Sequence, residues 1–166
     1  MYGMEYRIEV GEMAPDFSLP ATNGKTIRLY DCKNKKTVLL FFFDHRSERC
    51  LDRLSKLSDD YDQFKDAGVA VMPISILRVE EGKLLAENLC LPFPIVCDEN
   101  HAAVQDYRMG ACSTESSHVC FVTVTKVERP TLLVVDTSGV IRYKQLLDPY
   151  GTKPDNATLL RECRAA

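Results

Sequence analysis

Hydrophobic and polar positions along the chain switch repeatedly between strand-like and helix-like spacing. Lys36 to Phe43 ends in an unbroken run of β-branched, aliphatic and aromatic residues, the pattern of a strand covered on both faces. From Ser47 onward Leu51, Leu54, Leu57, Tyr61 and Phe64 recur at helical spacing with mostly polar residues between them, and Gly68 closes the element. A strand over Val69 to Ile76, a helix over Glu80 to Leu89 and a strand over Phe93 to Cys97 repeat the unit. Leu91-Pro92-Phe93-Pro94 forces an extended connection between the last two, so the pattern predicts a βαβ crossover.

The flanking segments complete the alternation. Phe17 to Leu29, interrupted by Asn23-Gly24, predicts a short hairpin, because Asn-Gly supplies the positive φ that a two-residue turn requires. A short helix over His101 to Tyr107 precedes a polar stretch, Gly110 to Ser117, read as an insertion, and a strand over Val119 to Val124. Thr131 to Asp136, a Thr137-Ser138-Gly139 turn and Val140 to Leu147 form a second hairpin. A final helix starts near Asp155, capped by Asp155 or Asn156. No linker or repeat divides the chain, so residues 1–166 are read as one domain. The predicted class is α/β, with a central mixed sheet and helices on both faces, an arrangement that resembles the thioredoxin-like fold.

Composition narrows the partners. The formal charge of −3, with Lys and Arg scattered among more numerous Asp and Glu, offers no basic footprint for nucleic acid or an anionic membrane. The longest apolar run, Val38 to Phe43, is far short of the roughly 18 residues of a membrane span. Met1 to Arg7 lacks the basic start and apolar stretch of a secretory signal, so a cytoplasmic location is expected. The seven cysteines are odd in number and widely spread and include no Cys-x-x-Cys. Most are expected to be small buried hydrophobes in a reducing compartment.

Cys50 is the exception in position. It lies about seven residues beyond the predicted central strand, in the first turn of the following helix, where unpaired N–H groups and the helix dipole favour a thiolate. Arg46 and Arg49 are near in sequence, and Ser47, three residues before Cys50, can hydrogen-bond at the same place. From position alone a reactive thiol and a buried small hydrophobe are equally good readings of Cys50, and for Ser47 a plain helix N-cap is the competing role. Cys112, His118 and Cys120 fit no common zinc spacing, and His45 and His101 read as solvated loop residues. No metal or cofactor is expected.

Four segments then carry a resemblance to the peroxiredoxin family, of the alkyl hydroperoxide reductase and bacterioferritin-comigratory kind, over nearly the whole chain. Gly11-Glu12-Met13-Ala14-Pro15-Asp16-Phe17 resembles that family's Gly-x-x-Ala-Pro-x-Phe opening. The segment Phe43 to Cys50 occupies the place of its Pro-x-x-x-Thr/Ser-x-x-Cys motif. Leu91 to Asp98 resembles its Leu-Pro-Phe-Pro-Leu-Leu-Ser-Asp segment, with Cys97 in place of Ser. Arg129 to Asp136 with Gly139 resembles its Arg-containing strand and turn. The resemblance implies a thiol-dependent peroxidase acting on hydrogen peroxide or small organic hydroperoxides. Cys50 would be its peroxidatic residue, Ser47 would orient the peroxide, and Arg129 would lower the thiol pKa and stabilise developing charge. A surface ion pair is the competing role for Arg129.

Three positions depart from the family pattern: Phe43 stands for the motif proline, Arg53 for an acidic residue three positions after the cysteine, and Arg129 is one residue further from Asp136 than in many relatives. Phe43 and Arg53 favour, as an alternative, a catalytically silent domain of the same fold that binds a partner. A thiol-disulfide oxidoreductase is a further alternative, against which Ser47 stands where a second thiol would be needed. For the resolving thiol, Ser55 excludes the position five residues after Cys50, and Cys90, at the end of the helix before Leu91-Pro92, is the first candidate. Cys112, Cys120 and Cys163 are others, and an external thiol is the remaining route. The implied partners are a peroxide and thioredoxin or another dithiol reductant, with the chain a monomer or homodimer.

Overall fold

The computed structural model describes residues 8–112, 124–127, 129–147 and 155–166. Its centre is a five-stranded mixed sheet. In chain order β3 (Thr37–Phe42), β4 (Val69–Ser75), β5 (Val96–Cys97), β8 (Thr131–Val135) and β9 (Ile141–Leu146) lie side by side as β5-β4-β3-β8-β9. β3, β4 and β5 run parallel, whereas β8 is antiparallel to β3 and to β9. Two small hairpins flank it, β1 (Ser18–Pro20) with β2 (Thr26–Arg28), and β6 (Gly110–Cys112) with β7 (Val124–Val127).

β3 holds the centre because every one of its side chains is buried. Val38, Leu40 and Phe42 face one apolar cluster, which Ala103, Val104 and Tyr107 from α4 (Ala102–Asp106) complete. Leu39, Phe41 and Phe43 face the other, shared with α1 (Glu48–Asp59), α2 (Tyr61–Asp66) and α5 (Asn156–Ala165). The period of two along an extended strand accounts for this division. α3 (Val79–Asn88) packs on the second side through Leu85, Ala86 and Leu89. Its only buried residue is Gly82, where an added Cβ would meet Thr22 Cγ2 at 2.8 Å and Cys97 Sγ at 3.0 Å. The lack of a side chain there lets the helix approach the sheet edge.

Sequence expectation and structure part at a few boundaries. The helix expected from Ser47 to Gly68 is two, α1 and α2, divided at Asp60, whose φ of −112° and ψ of 17° leave the helical region. The strand expected over Phe93 to Cys97 shrinks to Val96–Cys97, because Pro92 and Pro94 lack the N–H a ladder needs. Asp155, not Asn156, caps α5, accepting from the Thr158 N–H at 2.7 Å. Of the strand expected over Val119 to Val124 only Val124 is described, as the first residue of β7, and most of the polar stretch Gly110 to Ser117 lies outside the described residues, as do His118 and Cys120.

The glycine-bearing opening segment is structural. Gly11 and Ala14 donate N–H groups to Ile141 and Gly139, each at 2.8 Å, and the buried Tyr107 donates its hydroxyl to the Pro15 carbonyl at 2.6 Å. Asp136 accepts from the Ser138 and Val140 N–H groups at 2.9 and 3.0 Å, closing the turn to which that segment is tied. Two of the four resemblance segments thus meet at the amino-terminal side of the sheet and brace it.

Candidate active site

β3 ends at Phe42, and the chain reaches α1 through Phe43 to Ser47. The Phe43 N–H donates to the Ile74 carbonyl at 3.0 Å, extending the parallel register one residue past the strand. Ser47 adopts extended geometry and its hydroxyl accepts from the Cys50 N–H at 3.4 Å, so it is the N-cap of α1. Cys50 follows in the first turn, at the carboxyl edge of the sheet, where the sequence places it. Buried α1 positions Cys50, Arg53, Leu54 and Leu57 repeat at i, i+3, i+4 and i+7, so one inward stripe carries the sulfur into the apolar cluster around Phe41 and Phe43.

Enclosure decides the electrostatics. Cys50 is 0% exposed, and burial pushes its thiol above the ordinary cysteine range. The Asp44 N–H and the Ser47 hydroxyl act on the sulfur in the opposite sense, as does the Arg49 charge, while the Asp44 carboxylate adds to the rise. The net direction differs from the expectation of a thiolate favoured by the helix terminus. The N–H groups are present, but desolvation in an apolar cluster outweighs them.

Arg129 lies just before β8, whose Thr131 pairs with Phe42 of β3, so the topology brings it to the same edge as Cys50. It is exposed and left-handed, with φ of 53°, followed by Pro130. Cys90 is not brought to Cys50. α3 starts beyond the carboxyl end of β4, and Cys90 sits past the far end of that ten-residue helix, about 15 Å of rise away. There it is exposed and left-handed, φ 51°, and it lines an open cleft of about 670 Å³ with Lys83, Glu87, Leu91 and Phe93.

Cys97, Cys163 and Cys32 are held toward the protonated thiol. Cys97 and Cys163 are buried, and burial pushes them up to about 11 and about 12. Burial also raises Cys32. The histidines correct their reading as solvated residues. His45 is half-buried with Nδ1 3.2 Å from Ser75 Oγ, and His101 is partly buried in the left-handed region before α4.

Arg53, marked in the sequence only as a departure from the family pattern, is buried on the inward face of α1. It is 5% exposed and donates to Asn156 Oδ1, while Asn156 Nδ2 donates to the Lys56 carbonyl at 2.6 Å and to Asp60 Oδ2 at 2.7 Å. The cation thereby joins α1 to α5. Its place on the inward stripe, three residues after Cys50, is the sequence signal for burial. Ser75 and Asn156 had no such signal, since their roles depend on contacts across the fold.

Fold and site together define a thioredoxin-like domain in which, among the described residues, Cys50 is the cysteine that opens a helix. The AhpC/TSA family model matches residues 10–144, and the chain belongs to that family, as a peroxiredoxin of the Bcp kind. A putative peroxiredoxin bcp of Coxiella burnetii is 30% identical over 134 residues, 81% of this chain and 85% of that protein. Peroxiredoxin Bcp of Escherichia coli K12 is 30% identical over 100 residues, 60% of this chain and 64% of that protein. Among solved structures, peroxidoxin BcpB from Mycobacterium tuberculosis superposes with a TM-score of 0.80 at 19% identity, over 95% of this chain and 97% of that one. The class of activity, thiol-dependent peroxidase, follows from the family.

Proposed function

We propose that Cys50 is the sulfur with which this chain reduces hydrogen peroxide or a small organic hydroperoxide. The observation that carries the reading is its place in the first turn of α1, directly behind the Ser47 cap that accepts its N–H. In the reaction the thiolate attacks one peroxide oxygen. An S–O bond forms, the O–O bond breaks, and the departing oxygen takes a proton to leave as water or alcohol. Sulfur is oxidised to the sulfenic acid. A second thiol then displaces hydroxide, which is protonated to water, and the disulfide is reduced by thioredoxin or another dithiol. Ser47 orients the peroxide and Arg129, from the same edge, supports the developing negative charge. Because Cys50 is enclosed, the loop from Phe43 to Arg49 opens to admit substrate.

Cys90 is our resolving residue. Its exposure makes it available, and reaching Cys50 requires the last turns of α3 to unwind, since a disulfide needs Cα atoms within about 7 Å. Peroxide treatment followed by digestion is expected to give a Cys50–Cys90 crosslink; a crosslink to Cys112, Cys120 or Cys163 moves the role there, and no internal crosslink at all assigns resolution to an external thiol. No helix of the described residues is long and apolar enough to cross a membrane. The free, buried thiols suit a reducing compartment, and we place the chain in the cytoplasm as a monomer or homodimer without nucleic-acid partners. Peroxide consumption with a dithiol donor tests the whole reading. It is expected in the unaltered chain and not in Cys50→Ser; equal, negligible turnover in both overturns it in favour of a silent binding domain.

A further inference from the structure

Cys50 lies between two fixed points of the chain that the peroxidase reading does not use. The first is Phe43. Its N–H donates to the Ile74 carbonyl at 3.0 Å, its carbonyl accepts from the Ser75 hydroxyl at 2.8 Å, and its fully buried ring is centred 5.7 Å from that of Phe41. A proline at this position has no N–H and could not make the first of these bonds. The second is Arg53, whose buried guanidinium donates to Asn156 Oδ1. Asn156 Nδ2 donates in turn to the Lys56 carbonyl at 2.6 Å and to Asp60 Oδ2 at 2.7 Å, so one amide at the start of α5 clamps α1 and its C-cap. α5 is itself anchored, since Leu159, Leu160 and Cys163 are buried in the cluster that holds Leu54 and Leu57.

Residues 44–52, between these points, are held differently. Asp44 accepts from the Arg46 and Ser47 N–H groups, each at 3.0 Å, and Ser47 Oγ accepts from the Cys50 N–H at 3.4 Å. Bonds of this internal kind travel with the stretch when it moves. Chain geometry then sets the reach of the sulfur. Cys50 is three residues from Arg53, about 5 Å away in a helix and no more than about 11 Å away in a fully extended chain. While the clamp holds, Cys50 opens to solvent without leaving this edge of the sheet, and a second thiol has to come to it.

We propose that Arg53 and Asn156 are positioning residues for Cys50: by fastening α1 one turn past the sulfur, they confine the opening that exposes it to residues 44–52. The proposal rests on Cys50 being the reacting thiol, and its first readout does not depend on that reaction. Amide hydrogen exchange is followed residue by residue by NMR in the unaltered chain, in Arg53→Met and in Asn156→Ala. Relative to the amides of β3, those of residues 54–59 are expected to exchange about tenfold faster in both variants. The double variant is expected to be no faster than Asn156→Ala alone, because the two changes remove a shared contact. A loss of global stability by itself accelerates α1 and β3 alike. Alkylation of Cys50 by iodoacetamide, located by mass spectrometry, is expected to rise about threefold to tenfold while the peroxide burst falls about threefold, since a freed α1 exposes the sulfur and gives up its capped first turn. Arg53→Lys, which keeps a donor for Asn156, is expected to return both rates toward those of the unaltered chain. Folded variants in which residues 54–59 keep pace with β3, or in which alkylation and peroxide burst rise or fall together, overturn the proposal. If exchange and alkylation change as expected while no form of the protein, the unaltered chain included, consumes peroxide, the clamp stands and the peroxidase assignment of Cys50 fails.

Discussion

Cys50 opens a helix and is sealed from water; Cys90 follows the end of one and is open to it. The N–H groups that start α1 favour a negative sulfur, whereas Cys90 stands where carbonyl groups end α3. Its own N–H and that of Leu91 satisfy the Glu87 and Ala86 carbonyls at 3.1 and 3.0 Å, the pairing usually made by a left-handed glycine. Neither cysteine has every attribute of a reactive thiol. Cys50 has the donors without the access, and Cys90 the access without the donors. The contrast teaches that the reading proposed for Cys50 requires its loop to open, whereas static exposure alone would favour Cys90.

The largest test is loss of the enclosed thiol. Cys50→Ser is expected to lower peroxide consumption by at least about a thousandfold while Cys90→Ser leaves the first oxidation intact, as a stopped-flow assay of the initial burst would register. The reverse result inverts the comparison. Next is pH. Because burial raises the Cys50 pKa, the thiolate is the minor form at neutrality, and the burst rate is expected to climb about tenfold per pH unit there. A rate already flat between pH 6 and 8 would mean that the helix terminus had won over desolvation.

Smaller effects bear on how each end is held. Arg53→Ala removes the cation that Asn156 accepts from, and chemical denaturation is expected to report a loss of about 2 kcal/mol. Ser47→Ala takes away the cap of α1 and should cost about 1 kcal/mol by the same measurement. Cys90→Gly goes the other way. Relieved of a left-handed non-glycine residue, the protein is expected to gain about 0.5 kcal/mol, and a decrease would show that the Cys90 side chain packs in its cleft.

The parts legible in the sequence are those fixed by local spacing. The all-apolar run of β3 announced a strand covered on both faces, and the interval from it to Cys50 announced a strand followed by a helix start. The family segments placed Ser47 and Arg129 at the edge the topology gives them. What local spacing did not carry is the balance at the sulfur, because desolvation depends on the apolar cluster that β3, α1, α2 and α5 build together. The partners of Arg53 and His45 were equally hidden. Asn156 and Ser75 lie 103 and 30 residues away in the chain, and no periodicity links them.

Gly82 has a consequence for how α3 can move. Its bare backbone is wedged against Thr22 and Cys97, whereas downstream Leu84 is 62% exposed and Cys90 ends in open cleft. The helix is therefore seated closest to the sheet near its start, so a methyl group at that glycine would push its first turns off the sheet edge while the Leu85, Ala86 and Leu89 contacts hold its second half in place.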